Sequence, residues 1–247
     1  MKSRLWTRAE LLRTLKLYCE IPFGKMHSRN ESVIDLAQQL GRTPSSIALK
    51  LVNFAGLDKV HQSRGISGMS NSSKLDKEIW NAVHADWNLL INLPPDSGTS
   101  QVDYDEPVWT GATSASAIIK IRRGQQFFRA CVLSKYKFRC AITGIKCPEL
   151  LRASHIIPWR VREDTRVEPK NGVCLNTLHD AAFDRGLLTF DNKLKLVLSK
   201  RLKEQMPVLV FEQMFKAYEG QTLAVPERFI PSEEYFDFHR RKIFQSN

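Results

Sequence analysis

Three short stretches decide how the C-terminal half of the chain folds: Arg152-Ala153-Ser154-His155-Ile156-Ile157-Pro158-Trp159, Asn171-Gly172-Val173-Cys174-Leu175 and His179-Asp180-Ala181-Ala182-Phe183-Asp184-Arg185-Gly186. His155 lies in an apolar run that reads as a short strand ending at Pro158. Asn171-Gly172 suits a turn into a second strand, Val173 to Leu175, and residues from about Leu178 onward read as a helix. Strand, loop, strand and helix in this order bring a histidine and helix-borne metal-ligating side chains to one face.

Around this centre the pattern is plainer. Residues Ile121 to Tyr136 form a basic amphipathic stretch whose Phe127, Phe128, Cys131, Val132 and Tyr136 make a core stripe. Leu187 to Leu198 alternates as a hairpin turning at Asp191-Asn192. Phe229, Tyr235, Phe236, Phe238 and Phe244 read as a C-terminal wrap with a basic cluster, His239 to Lys242.

Towards the N-terminus the texture is helical. Leu11, Leu12, Leu15 and Tyr18 follow a Thr7-x-x-Glu10 capping pattern. A second helix follows Asn30 with Val33, Ile34, Ala37 and Leu40 on one face, and it stops at Gly41. A third starts after Thr43, with Pro44 in its first turn and Ile47, Leu51 and Phe54 inward. Helix, short turn with glycine, helix is the helix-turn-helix geometry. The segment Leu36 to Ile47, with Trp6-Thr7 ahead of it, resembles Myb/SANT-like DNA-binding domains; in that reading Ser45, Ser46 and Lys50 face a groove or phosphates and Arg42 sits at the turn. One further helix is expected from Lys74 to roughly Ile91.

Composition bounds the class. The 247 residues carry 37 Lys plus Arg against 26 Asp plus Glu, a formal charge of +11. Residues 1–95 hold 13 basic and 8 acidic side chains, and residues 111–247 hold 24 and 14. Between them, residues 96–110 hold four acids and no base, amid Pro, Ser and Gly. Two basic blocks joined by an acidic linker suit a polyanionic partner. The expected division is a helical, DNA-binding domain over residues 1–93, a linker over 94–116 and a second domain over 117–247. No apolar run is long enough to span a bilayer, and the first residues lack a signal-peptide core, so a cytoplasmic protein is expected. The five scattered cysteines fit reduced thiols.

The second domain resembles the HNH endonuclease family, with His155, Asn171 and the His179-Asp180 pair at its three motif positions. The branch it is most similar to has a Cys-x-x-Thr-Gly lead (Cys140 to Gly144), a Ser-His-Ile-x-Pro-Trp strand (Ser154 to Trp159) and a Phe-Asp-x-Gly helix end (Phe183 to Gly186). This resemblance implies an α+β chain: a helical N-terminal domain and a C-terminal ββα-metal nuclease domain. It implies a metal-dependent DNA endonuclease acting on double-stranded DNA, in restriction or defence by extension from such relatives. The rival is a non-catalytic DNA-binding regulator with the nuclease fold as scaffold.

Phosphodiester hydrolysis needs an activated water, compensation of transition-state charge and stabilisation of the departing oxygen. A neutral imidazole suits the first task, which makes His155 the candidate general base, and Asn171 matches the asparagine that ties the loop to the strand. Asp180 is the first candidate metal ligand, His179 the second, and Asp184 follows Asp180 at i, i+4. Oxygen ligands favour Mg2+ or Mn2+, whereas a histidine ligand tilts the preference towards metals such as Ni2+. Arg152 and Arg160, flanking His155, are candidate DNA contacts. Two residues depart from the family pattern: Ser154 stands where many members have a metal-binding Asp or His, and Thr143 where a zinc knuckle would have its second Cys. Two-fold symmetric cleavage would require a homodimer, which no heptad pattern announces.

Overall fold

The computed structural model describes residues 4–63, 65, 72–94 and 115–246. The stretch 95–114, most of the expected linker, lies outside the described residues. The chain divides into two compact units, Met1–Ala130 and Cys131–Asn247, and the division falls within a single helix, α7.

The first unit is helical: α1 (Arg8–Glu20), α2 (Glu31–Leu40), α3 (Pro44–Ala55), a short α4 (Lys59–Gln62), α5 (Lys74–Ala85), a short α6 (Asn88–Ile91) and most of α7 (Ala115–Lys135). Local chemistry sets the first three boundaries. Thr7 and Glu10 form the reciprocal capping box of α1, Asn30 caps α2, and Gly41 ends it at φ 59°. Thr43 accepts from Ser46 N and Pro44 opens α3. Leu11, Leu15, Tyr18, Val33, Ala37, Ile47, Leu51, Phe54, Ile79 and Val83 are fully buried. The helix expected over Lys74 to Ile91 is broken in two. Asp86 takes an extended conformation, and its carboxylate accepts from Asn88 N at 2.9 Å, which restarts the helix.

Two cations expected to meet DNA make ion pairs inside this unit. Arg42, 7% exposed at its side chain, donates to both oxygens of Glu10 at 3.1 and 2.9 Å and lies over the Trp6 ring. Burial opposes the charge on Glu10, but the hydrogen bonds from Arg42 and Thr7 outweigh it and hold the carboxyl down at about 2. Lys50 donates to both oxygens of the fully buried Asp76, which also caps α5. These pairs tie α3 and the turn before it to α1 and α5. Lys50→Ala would strand the Asp76 carboxylate in the core, so the earliest unfolding transition of the full chain should lose about 3 to 5 kcal/mol. Unchanged thermal and urea midpoints would contradict this structural role. Of the four residues expected to face DNA, only Ser45 is exposed, and Ser46 is half-buried.

The second unit is built on two antiparallel strand pairs. Strands β1 (Leu151–His155) and β2 (Gly172–Asn176) pair in the register His155↔Gly172 and Leu151↔Asn176. Helix α8 (Thr177–Asp184) follows β2 directly and packs across both strands. Strands β3 (Leu188–Phe190) and β4 (Leu196–Leu198) form the expected hairpin, whose turn is pinned by Asp191 accepting from the amides of Lys193 and Lys195. Short helices α9 (Lys200–Glu204) and α10 (Val208–Met214) follow, and α11 (Glu233–Lys242) packs on β3. The segment Cys140 to Ile145 turns tightly and docks on β2 through Ala141 N to Cys174 O, 2.7 Å. No disulfide joins the five cysteines, and four of them are buried. No helix among the described residues is long and apolar enough to cross a membrane.

Three buried polar groups brace the unit. Lys135 Nζ donates to the carbonyls of Pro169 and Phe229 at 2.8 and 3.0 Å, tying the end of α7 to the β1–β2 loop. Arg228 donates to Ser134 at 2.8 Å. His239 lies flat against Phe183, donates from Nε2 to its carbonyl and pairs through Nδ1 with the Thr189 hydroxyl. Gly186 ends the α8 region at φ 68°, and a Cβ there would stand 2.0 Å from the Ile243 carbonyl oxygen. The glycine of the Phe-Asp-x-Gly pattern is therefore what lets the chain after α11 close over the end of α8.

Candidate active site

His155 is the last residue of β1 and is half-buried. Its Nε2 lies 2.9 Å from the carbonyl oxygen of Arg166. A carbonyl only accepts, so Nε2 carries the proton and Nδ1 is the basic nitrogen of the ring. The Trp159 ring meets the imidazole edge-on at 5.5 Å. Desolvation pulls the pKa of His155 down from 6.5 to about 4, against the opposing hydrogen bond to Arg166, so the ring is neutral at physiological pH.

The loop that presents the Arg166 carbonyl is held by Asn171, which bonds the neighbouring Thr165 carbonyl. This side chain is completely buried, as its apolar surroundings require of a polar group with every partner made. Its Oδ1 accepts from Ile157 N at 2.8 Å, and its Nδ2 donates to the carbonyls of Ile157 and Thr165 at 3.1 and 3.2 Å. Asn171 O accepts from Ile156 N at 2.9 Å. The loop leaving β1 is thereby folded back so that Arg166, next to Thr165, presents its carbonyl to the ring. The Arg166 side chain adds a bond to Trp159 O at 2.8 Å.

Helix α8 runs back along the hairpin towards the His155 end. The contact that shows this is Ser154, whose hydroxyl donates to Asp180 Oδ1. Ser154 thus orients the helix carboxylate. Asp180 is half-buried, and Asp184 is exposed one turn further on. The geometry of His179 does not suit a ligand. The ring is 1% exposed; Nδ1 accepts from Asn176 Nδ2 at 2.8 Å, and Nε2 donates to Met214 O at 2.8 Å. Phe215 and Tyr218 close over it edge-on. Its place is a packing one, between α8 and α10.

Asn176 also donates to Thr143 Oγ1 at 3.4 Å, and the Cys140 sulfur accepts from Thr143 N at 3.5 Å. Burial raises the Cys140 thiol, but hydrogen bonding with His179 and Thr143 brings it down to about 7. Cys140, Thr143, Asn176 and His179 therefore join the leading turn to α8 through hydrogen bonds. Of the expected DNA contacts beside His155, Arg160 is exposed, while Arg152 is half-buried with its guanidinium on the carbonyls of Glu149 and Leu151.

Among the described residues no three His, Cys, Asp or Glu side chains are clustered to hold a metal. The donor set at the His155 end is nonetheless of the right kind for a small hard cation. Mg2+ takes one or two carboxylates and completes its shell with waters and substrate phosphate oxygens. Asp180, oriented by Ser154, and Asp184 at i, i+4 supply such oxygens from one helix face.

Residues 140–191, 52 of the 247, match the family model for HNH endonuclease. The matched span holds the leading turn, β1, Asn171, β2, α8 and β3, and so includes His155, Asn171 and Asp180. No curated protein matches the chain. Among solved structures it is similar to one titled "Modification dependent TagI restriction endonuclease", at 24% identity and a TM-score of 0.35; the likeness covers 47% of this chain and 37% of that one.

Proposed function

We propose that this protein is a metal-dependent HNH endonuclease that hydrolyses phosphodiester bonds in double-stranded DNA, with His155 as general base. The observation that carries the reading is the orientation of the His155 ring: its Nε2–H donates to the Arg166 carbonyl, which makes Nδ1 the basic nitrogen, while the adjacent Ser154 meets Asp180 on α8. In the proposed reaction Nδ1 takes a proton from a water as that water attacks the scissile phosphorus. The P–O3′ bond breaks, and the departing 3′ oxygen takes a proton from a solvent water, leaving 5′-phosphate and 3′-hydroxyl ends. Asn171 acts through the loop, keeping the Arg166 carbonyl where it fixes the ring. Asp180, with Asp184, would hold one Mg2+ or Mn2+; when bound, the ion supplies Lewis-acid compensation of charge on the phosphate and the departing oxygen. A role in restriction or defence inside the cytoplasm fits a basic, DNA-directed nuclease, as does DNA contact by the first unit through Ser45 and Ser46.

Metal titration tests the ligand assignment. Asp180→Ala should lose Mn2+ affinity by roughly tenfold or more and Mg2+-dependent plasmid cleavage with it. His179→Ala should keep its Mn2+ affinity while losing stability. Wild-type metal affinity in the Asp180 variant would reject the assignment.

A further inference from the structure

A cleft of about 370 Å3 opens where the end of α8 meets α9 and the chain leaving α11. Its charged lining is Arg185, Arg201 and Lys242 against one carboxylate, Asp184. All four side chains are exposed, so the positive charge is presented outward rather than spent in the core. The arrangement is held in place. Arg201 donates to Gln245 Oε1 at 3.0 Å, Gln245 Nε2 donates to Arg185 O at 2.9 Å, and Gln245 N donates to Gly186 O at 2.9 Å. Arg185 donates to Ala181 O at 3.1 Å. The close approach that only Gly186 allows is what brings Lys242 and Gln245 to the end of α8.

The position of the cleft relative to the candidate site follows from chain direction. Helix α8 runs antiparallel to β2, and the Ser154–Asp180 contact sets Asp180 level with the end of β1. Asp184 lies one turn, about 6 Å, beyond Asp180 in the same direction. The cleft therefore continues the site outward from its carboxylates. Three outward cations on a rigid frame suit a polyanion crossing the surface.

We propose that this cleft grips the sugar-phosphate backbone of duplex DNA beyond the scissile phosphate and sets the strand's register on His155. Arg201 and Lys242 are the main phosphate contacts, and neither belongs to the motif shared with the nuclease family. The proposal rests on the DNA-cleaving reading above and deepens it.

The test is duplex binding by the full chain in EDTA, followed by fluorescence anisotropy across a salt series. Each phosphate contact contributes about 0.9 to the slope of log K against log salt, so Arg201→Ala with Lys242→Ala should lower the slope by roughly 1.8 and weaken binding at low salt. Lys242 is exposed, so Lys242→Ala alone should fold normally and remove about half of that slope change. Lys146→Ala with Lys193→Ala removes the same charge from exposed positions outside the cleft and should leave the slope as in wild type. An unchanged slope in both cleft variants, or an equal fall in the control pair, overturns the proposal while leaving the nuclease reading intact. A wild-type chain that binds no duplex at low salt overturns both.

Discussion

His155→Ala should cut plasmid DNA roughly 10² to 10⁴-fold more slowly than wild type, the usual contribution of a positioned general base, while binding duplex and unfolding like wild type. The loss should fall on kcat, because the ring acts on the attacking water and not on the bound strand. The pH dependence follows from the same geometry. Desolvation lowers the His155 pKa to about 4, and only the neutral ring accepts a proton. Cleavage should therefore rise with pH through that low value and be flat, as far as this group is concerned, above about pH 6. A limb rising through 6.5, the ordinary histidine value, would show that the ring is better solvated in the working enzyme than here. Full activity in the His155 variant would reject the mechanism.

Asn171→Ala should damage both stability and rate. The substitution removes three hydrogen bonds and leaves the amide of Ile157 and the carbonyls of Ile157 and Thr165 buried without them. At about 1 to 3 kcal/mol for each stranded group, a loss of at least 3 kcal/mol is expected. Below the melting temperature, kcat should still fall, since the loop no longer holds the Arg166 carbonyl against the ring. Asn171→Asp offers a sharper form of the test. It keeps an acceptor for Ile157 N but sets a carboxylate against two carbonyl oxygens, and should be no better than alanine. A stable, fully active Asn171→Ala protein would contradict the positioning role.

What could be read from the sequence was what short-range chemistry decides. Thr7, Asn30 and Thr43 each cap a helix through a partner three residues away, and Gly41 ends one by its positive φ. The strand, loop, strand, helix order around His155 was legible for the same reason: apolar runs and turn residues mark each piece. What was not legible involves distant partners. Arg42 and Lys50 look like DNA contacts from their place on a helix-turn-helix, but their carboxylate partners lie 32 and 26 residues away in sequence. His179 matches a ligand by residue type, yet its two ring nitrogens bond Asn176 and the Met214 carbonyl on α10, a helix that no periodic signal announced. The Arg166 carbonyl, which decides the tautomer of His155, is a backbone atom and leaves no trace in residue identity. Ser154 looked like a missing ligand, and its hydroxyl explains instead how Asp180 is aimed.

The central claim is hydrolysis of DNA at this site, and one measurement addresses it most directly. Purified full-length protein is incubated with supercoiled plasmid, methylated and unmethylated, with Mg2+ or Mn2+, with and without EDTA. The account predicts conversion to nicked or linear DNA bearing 5′-phosphate ends, stopped by EDTA. No conversion with any of these metals or substrates would contradict it and favour a DNA-binding regulator that uses the nuclease fold as a scaffold.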